Sequence, residues 1–424
     1  MKERRRTAAG DETRARLELA ALDLFSKKGY SATSTREVAA TLGVQQASLY
    51  YHMKNKEDLL RGICYTALSA LVDRAEKAVT TARNPREAIR AIGKNHLITT
   101  LELQKQFSVG VMECRAIGPE YRAEIQGLWT RYYSIASDVI DKARNQKRVR
   151  ADVSTRYLYF SLVSPLIWAV LWYRKDKELT IPELDDVFKT VYFEGAGRPR
   201  VPRNFSSGAI SRNLESLSSQ FALASDSEKN ETHARLLDTA CALFSQKGYS
   251  ATSVREIADA MGIQKASLYY YISTKEDLIY EISKAALGHM NSSVQWAMSQ
   301  VSGVQDRLYA FITAHVVSLL QHRNWHAAAN EELITFTSKR RSQIVALRDK
   351  YESFVRSLLE EAQAAGIVRR DIPAKYLGFV LMGMITHIYP WYQSKVDVPP
   401  AELGFLLADI FLTGVSPTWP AKRG

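Results

Sequence analysis

Phe25-Ser26-Lys27-Lys28-Gly29-Tyr30-Ser31-Ala32-Thr33-Ser34 is written a second time as Phe244-Ser245-Gln246-Lys247-Gly248-Tyr249-Ser250-Ala251-Thr252-Ser253. Ala47-Ser48-Leu49-Tyr50-Tyr51 returns as Ala266-Ser267-Leu268-Tyr269-Tyr270, and Lys56-Glu57-Asp58-Leu59 as Lys275-Glu276-Asp277-Leu278. Residue 244 set against residue 25 fixes the offset at 219, and every one of these matches keeps it. The same offset persists downstream in single residues: His96 with His315, Glu113 with Glu332, Arg122 with Arg341, Tyr132 with Tyr351, Asp152 with Asp371, Trp172-Tyr173 with Trp391-Tyr392, and Gly195 with Gly414. A series at one register indicates two full copies of a unit of roughly 190 residues.

Each repeated stretch reads as helix. Leu17, Ala21, Leu24 and Phe25 share one helical face, as do Leu236, Ala240, Leu243 and Phe244. Gly29 and Gly248 stand where those helices end. Ser34-Thr35-Arg36-Glu37 and Ser253-Val254-Arg255-Glu256 carry the spacing of a capping box, in which serine and glutamate satisfy each other's backbone amides. A short helix follows, with Val38, Ala39 and Leu42 inward (Ile257, Ala258 and Met261 in the second copy), then a turn at Gly43 or Gly262. A third helix is expected from Gln46 to His52 and from Lys265 to Tyr271. Asn55-Lys56-Glu57-Asp58 and Thr274-Lys275-Glu276-Asp277 begin a fourth. Two short helices about a glycine turn form a helix-turn-helix, whose second helix enters a major groove.

Gly29-Tyr30, Thr33-Ser34, Arg36-Glu37, Ala39, Gly43-Val44, Ala47 to His52 and Lys56-Glu57-Asp58-Leu59-Leu60 resemble the DNA-binding domain of the tetracycline-repressor (TetR) family, and the second copy matches from Gly248-Tyr249 to Leu278. One departure is mild: Met53 and Ile272 replace a customary aromatic at an inward position. The larger one is the fusion, because family members are typically homodimers of a single unit. The resemblance implies an all-α fold of two tandem units, each a helix-turn-helix domain followed by a helical effector and dimerisation domain. The boundaries are 10–60 and 61–195 for the first unit, 196–228 for a linker, and 229–279 and 280–418 for the second unit. The linker, rich in Gly, Pro, Ser and Arg, reads as flexible, with a short helix expected near Leu214–Leu223.

The resemblance also implies the contacts. Arg36 and Arg255 lie near the groove; Gln46 and Lys265 open the recognition helices as base readers. Thr35, Ala47 and Ala266 are placed to touch base edges or a thymine methyl. Ser48, Tyr50, His52 and Lys56, with Ser267, Tyr269, Tyr271 and Lys275, are the phosphate-positioning set, and Tyr51 and Tyr270 complete the DNA-binding residues. The competing reading has the tyrosines covering the small helical core. Thr35 faces Val254 at the repeat register, Gln46 faces Lys265, and His52 faces Tyr271. Glutamine suits adenine and lysine suits guanine, so the two halves are expected to read unlike half-sites of an imperfect palindrome. A flexible linker spans about 30 Å, and half-sites lie ~34–36 Å apart, so one chain can form an intramolecular pseudo-dimer. A dimer of two such chains is the rival.

For an effector pocket the candidates are His96, Glu113, Arg122, Trp172 and Tyr173, with His315, Glu332, Arg341, Trp391 and Tyr392. Aromatic walls beside a cation would suit an amphipathic anion such as an acyl-CoA thioester. The competing reading packs the aromatics into a core or dimer interface and buries the histidines in satisfied hydrogen bonds.

The chain has 424 residues, 46% hydrophobic and 24% charged, and a formal net charge of +12, which favours an anionic partner such as double-stranded DNA. No apolar segment follows the basic start MKERRR, and the runs Tyr157–Trp172 and Tyr376–Tyr392 are short for a bilayer. The three cysteines show no metal-ligand spacing, and no cofactor or metal is expected. No P-loop, GxSxG or HExxH motif is present, so no catalytic role is expected. These readings converge on a cytoplasmic bacterial regulator, nucleoid-associated when bound to DNA, most simply a repressor released by a small molecule. The alternative is an architectural DNA-binding protein without an effector.

Overall fold

The computed structural model describes residues 2–113, 117–175, 179–195, 228–249, 252–331 and 338–414. Its described residues form helices without strands. The first unit runs α1 (Lys2–Lys28), α2 (Thr35–Thr41), α3 (Gln46–Leu49), α4 (Lys56–Thr81), α5 (Pro85–Glu102), α6 (Gln104–Glu113), α7 (Pro119–Asn145), α8 (Thr155–Trp172) and α9 (Ile181–Glu194). The second repeats it as α10 (Glu228–Lys247), α11 (Val254–Met261), α12 (Lys265–Leu268), α13 (Lys275–Ser299), α14 (Val304–Gln321), α15 (Arg323–Glu331), α16 (Ser338–Ala364), α17 (Ala374–Thr386) and α18 (Pro400–Thr413). The helix expected near Leu214–Leu223 lies outside the described residues.

Local chemistry sets the boundaries as expected. Ser34 with Glu37, and Ser253 with Glu256, close reciprocal capping boxes. Gly29, Gly43, Gly248 and Gly262 all take the left-handed φ of +68° to +85° that these turns require. The recognition helices are shorter than expected. Regular α-helix ends at Leu49 and Leu268, and Tyr50, Tyr51 and His52 continue as tighter turns bonded three residues back. The reason is that the chain must bring Met53 and Ile272 into the core, where both are buried.

The apolar helices α8 and α17 pack on each other, and α9 packs on both α17 and α18. The four helices thus form an interface between the units, and its contacts are reciprocal. Phe160 stacks on Trp391 with ring centroids 4.1 Å apart, and its repeat partner Phe379 stacks on Trp172 at 4.0 Å. Each such pair contributes about 0.5–1.5 kcal/mol beyond its buried area. Arg150 reaches Asp409 at 2.6 Å, and the equivalent Arg369 reaches Glu194 at 3.6 Å. Gly195 and Gly414 close the far end, backbone against backbone. Arg156 adds an ion pair to Asp397 at 2.7 Å, whose carboxylate is shielded from solvent.

Candidate DNA interface and effector cavity

In each unit, three short elements present one polar surface. Tyr51 and Tyr270 are 88% and 85% exposed, and Tyr50 and Tyr269 about half so, which leaves their hydroxyls outward rather than in the core. Gln46, Ala47 and Ser48 are exposed beside them, as are Lys265 and Ala266, with Ser267 half-buried. Arg36 and Arg255 are exposed on the preceding helix; Arg255 lies 4.0 Å from Asp259. His52 and Tyr271 are half-buried.

The two surfaces differ in wiring. The Gln46 amide donates to Thr35 Oγ1 at 2.9 Å, and that hydroxyl lies 3.5 Å from the Tyr50 hydroxyl. Val254 has no hydroxyl, and Lys265 instead sits 5.9 Å above the Tyr269 ring.

Lys56 and Lys275 are placed differently from a free phosphate contact. Lys56 Nζ donates to the carbonyls of Tyr30 and Thr33, both at 2.8 Å, and lies 4.2 Å over the Tyr30 ring. Lys275 repeats this on Tyr249 and Thr252. Burial pulls the Lys56 pKa below its ordinary value. The ammonium therefore ties the start of α4 to the loop before α2. Lys56→Ala is expected to destabilise the first DNA module by ~1–3 kcal/mol, the range for losing a charge-assisted bond. The salt slope of DNA binding should stay unchanged; a fall of about one unit would restore the phosphate role.

A cavity of about 910 Å³ opens in the first unit between α4, α6, α7 and α8. Cys64 and Leu68 of α4, Gly110 of α6, Trp129 and Tyr133 of α7, and Tyr159 of α8 face it. Its lid comes from the second unit: Arg323 and Asn324 at the start of α15, and the turn from His387 through Tyr389, Pro390 and Trp391. Among the described residues two arginines line it and no carboxylate does. Arg156 is already paired with Asp397, whereas Arg323 donates to the Tyr392 carbonyl at 3.2 Å and makes no ion pair among the described residues.

Trp391 is the one expected effector-site residue that lines this cavity. His96 and His315 are buried, each 2.8–2.9 Å from the hydroxyl of Tyr132 or Tyr351. Glu113 accepts from the Tyr30 amide at 2.9 Å, and burial pushes its pKa up. Arg122 is exposed and donates to the Ile117 carbonyl; Arg341 is also exposed. Trp172 belongs to the interface stack. Tyr173 is buried, and its carbonyl accepts from Gln104 at 3.1 Å. Tyr392 is buried, its hydroxyl on the Val398 carbonyl. Glu332 lies outside the described residues. Sequence reasoning missed Phe160, Gly110 and Arg323. The repeat offset already paired Phe160 with Phe379, which was the available signal.

Burial lowers the pKa of His96, His315 and His326 to about 3 and of His387 to about 4. These folded values lie below the unfolded one near 6.5, so unfolding takes up protons as pH falls. Their contribution is complete above that pH and is lost on acidification. The free energy of urea unfolding is expected to fall from pH 6.5 towards 4, by up to about 1.4 kcal/mol per pH unit for each histidine. A flat profile would contradict their burial as neutral rings.

Among the described residues, no group of three or more His, Cys, Asp or Glu is placed to hold a metal ion, and no helix is long and apolar enough to cross a membrane. Two helix-turn-helix modules on helical bodies define a DNA-binding regulator class. The family profile described as bacterial regulatory proteins, tetR family, matches residues 19–63 and 236–282; the profile for the tetracyclin repressor-like C-terminal domain matches 82–196 and 302–415. The chain therefore belongs to the tetracycline-repressor family, as two complete units in tandem. The HTH-type transcriptional repressor KstR2 of Rhodococcus jostii is 29% identical over 201 residues, covering 45% of this chain and 94% of that protein. The biofilm operon regulator IcaR of Staphylococcus aureus is 32% identical over 78 residues, 18% of this chain and 42% of its own. The solved structure of PfmR from Thermus thermophilus, a TetR-family regulator, shares 28% identity over 42% of this chain and 98% of that one, with a TM-score of 0.40. This chain is a helix-turn-helix transcriptional regulator of that family.

Proposed function

We propose that one chain acts as a complete operator-binding repressor, its two units taking the places of the two subunits of a homodimer. The reciprocal stacking of Phe160 on Trp391 and of Trp172 on Phe379 across α8 and α17 carries this reading. That both sides of this interface come from one copy of the chain supports the reading. The unlike reading surfaces favour an imperfect palindrome, with Gln46 on an adenine in one half-site and Lys265 on a guanine in the other.

The effector is proposed to be an amphipathic anion held in the cavity of the first unit. Two of the cavity's walls reach the DNA module. Helix α4 runs from Cys64 back to Lys56 and its clamp on the Tyr30 loop. Helix α6 runs from Gly110 to Glu113, which holds the Tyr30 amide. An occupant that binds one position of these helices better than the other shifts the module by that difference in affinity. Repression by occupancy in the cytoplasm, and release on binding, follow.

A nucleotide-resolution footprint on the DNA flanking the chain's own gene, near 150 mM salt, tests the reading. One protected imperfect palindrome is expected. Protection spread without sequence preference would favour the architectural alternative.

A further inference from the structure

The units share a fold, but among the described residues the side chains at the positions that line the first unit's cavity differ in the second. At the repeat register, Gly110 is answered by Ala329, Gln106 by Trp325, Phe107 by His326, Trp129 by Arg348 and Ile167 by Thr386. In the second unit these replacements have partners of their own. Arg348 is half-buried and donates to the Ala329 carbonyl at 2.8 Å. Thr386 Oγ1 lies 3.3 Å from His315 Nε2, and His326 is buried beside them. Trp325 is drawn away to Asp238 at 2.9 Å. Where the first unit has a glycine and apolar rings around open space, the second has an alanine, an arginine, a threonine, a histidine and a tryptophan at the same register. A smaller cavity of about 400 Å³ lies in the second unit between Asp238 and Trp325 on the DNA-module side of α15, and Arg323 and Asn324 border both cavities.

From this asymmetry we infer that each chain has one effector site, composed of the first unit's walls and the second unit's lid, and that it takes one amphipathic anion with its charged end at Arg323. This rests on the effector reading above and sharpens it. A homodimer of identical units repeats any site it has; in this duplicated chain the described lining positions of the second unit carry different, mostly polar side chains. The signal therefore enters through α4 and α6 of the first unit, and the second DNA module responds only through the shared interface.

The probe is 1-anilinonaphthalene-8-sulfonate, an aromatic anion that brightens in an apolar site, titrated into the full chain. One saturable site per chain is expected. Gly110→Leu places a side chain in the open space; at Gly110 even a Cβ would lie 3.5 Å from Cys64 Sγ. It should weaken the probe at least tenfold. Arg323→Gln, in the other unit, should weaken it severalfold while leaving the uncharged N-phenyl-1-naphthylamine unaffected. Ser283→Ala, at the position in the second unit that answers Cys64, should change neither. Two equivalent sites per chain, no saturable site, or full affinity in Gly110→Leu would each overturn the inference. A footprint of every variant on the same DNA is read separately: it reports folding, and its absence in the parent chain would sink the regulator reading while leaving the site intact.

Discussion

Gly195→Val is expected to lower the unfolding midpoint by about 6–12 °C and to separate the two units. The glycine holds φ 79° and ψ 166°, a region closed to side chains. A Cβ there would lie 2.4 Å from the Leu412 carbonyl oxygen and 2.7 Å from the Gly414 nitrogen. The backbone strain costs ~1–3 kcal/mol, and the collision falls on backbone that cannot rotate away, so α9 must withdraw from α18. A total near 3 kcal/mol gives the stated shift at ~2–4 °C per kcal/mol. Gly366 provides the control: its φ is +72°, but nothing lies within 4 Å of its Cβ position. Gly366→Ala should show the strain alone, with operator affinity unchanged. Calorimetry and small-angle scattering read the outcome; equal effects in the two variants would contradict the interface.

Thr35→Val combined with Gln46→Lys gives the first unit the base-reading pair of the second, Val254 and Lys265. The parent surface is a bonded set, Gln46 to Thr35 and Thr35 towards Tyr50. The second unit reads through Val254 and a lysine lying over Tyr269. The double variant is expected to prefer a symmetric operator built from two copies of the second half-site. Each well-made base contact discriminates by about 1–3 kcal/mol, or roughly 5- to 150-fold. Competition between the natural and the symmetrised duplex measures the switch. An unchanged preference would mean that these positions do not read bases.

Much of the fold was legible because its punctuation is local. Ser34 with Glu37, the left-handed glycines and the apolar face from Leu17 to Phe25 act within a few residues, so spacing alone announces them. The repeat then supplied the duplication. What spacing could not supply is the partner of a buried face. Tyr157–Trp172 and Tyr376–Tyr392 read as buried helices, yet only three dimensions place Phe160 on Trp391. The cavity was hidden for a related reason: it exists because Gly110 is small and because the lid belongs to the other copy. Lys56 illustrates a third gap. A lysine near a recognition helix suggests phosphate, but here backbone carbonyls already surround the ammonium. Arg122, likewise, spends its guanidinium on the Ile117 carbonyl five residues away.

The most direct test of a self-sufficient chain is the native mass of its complex with the footprinted duplex at fixed salt. One chain per operator, with the apo protein monomeric at the same concentration, is the expected result. Two chains per operator at every ratio, with no one-chain complex, would contradict it.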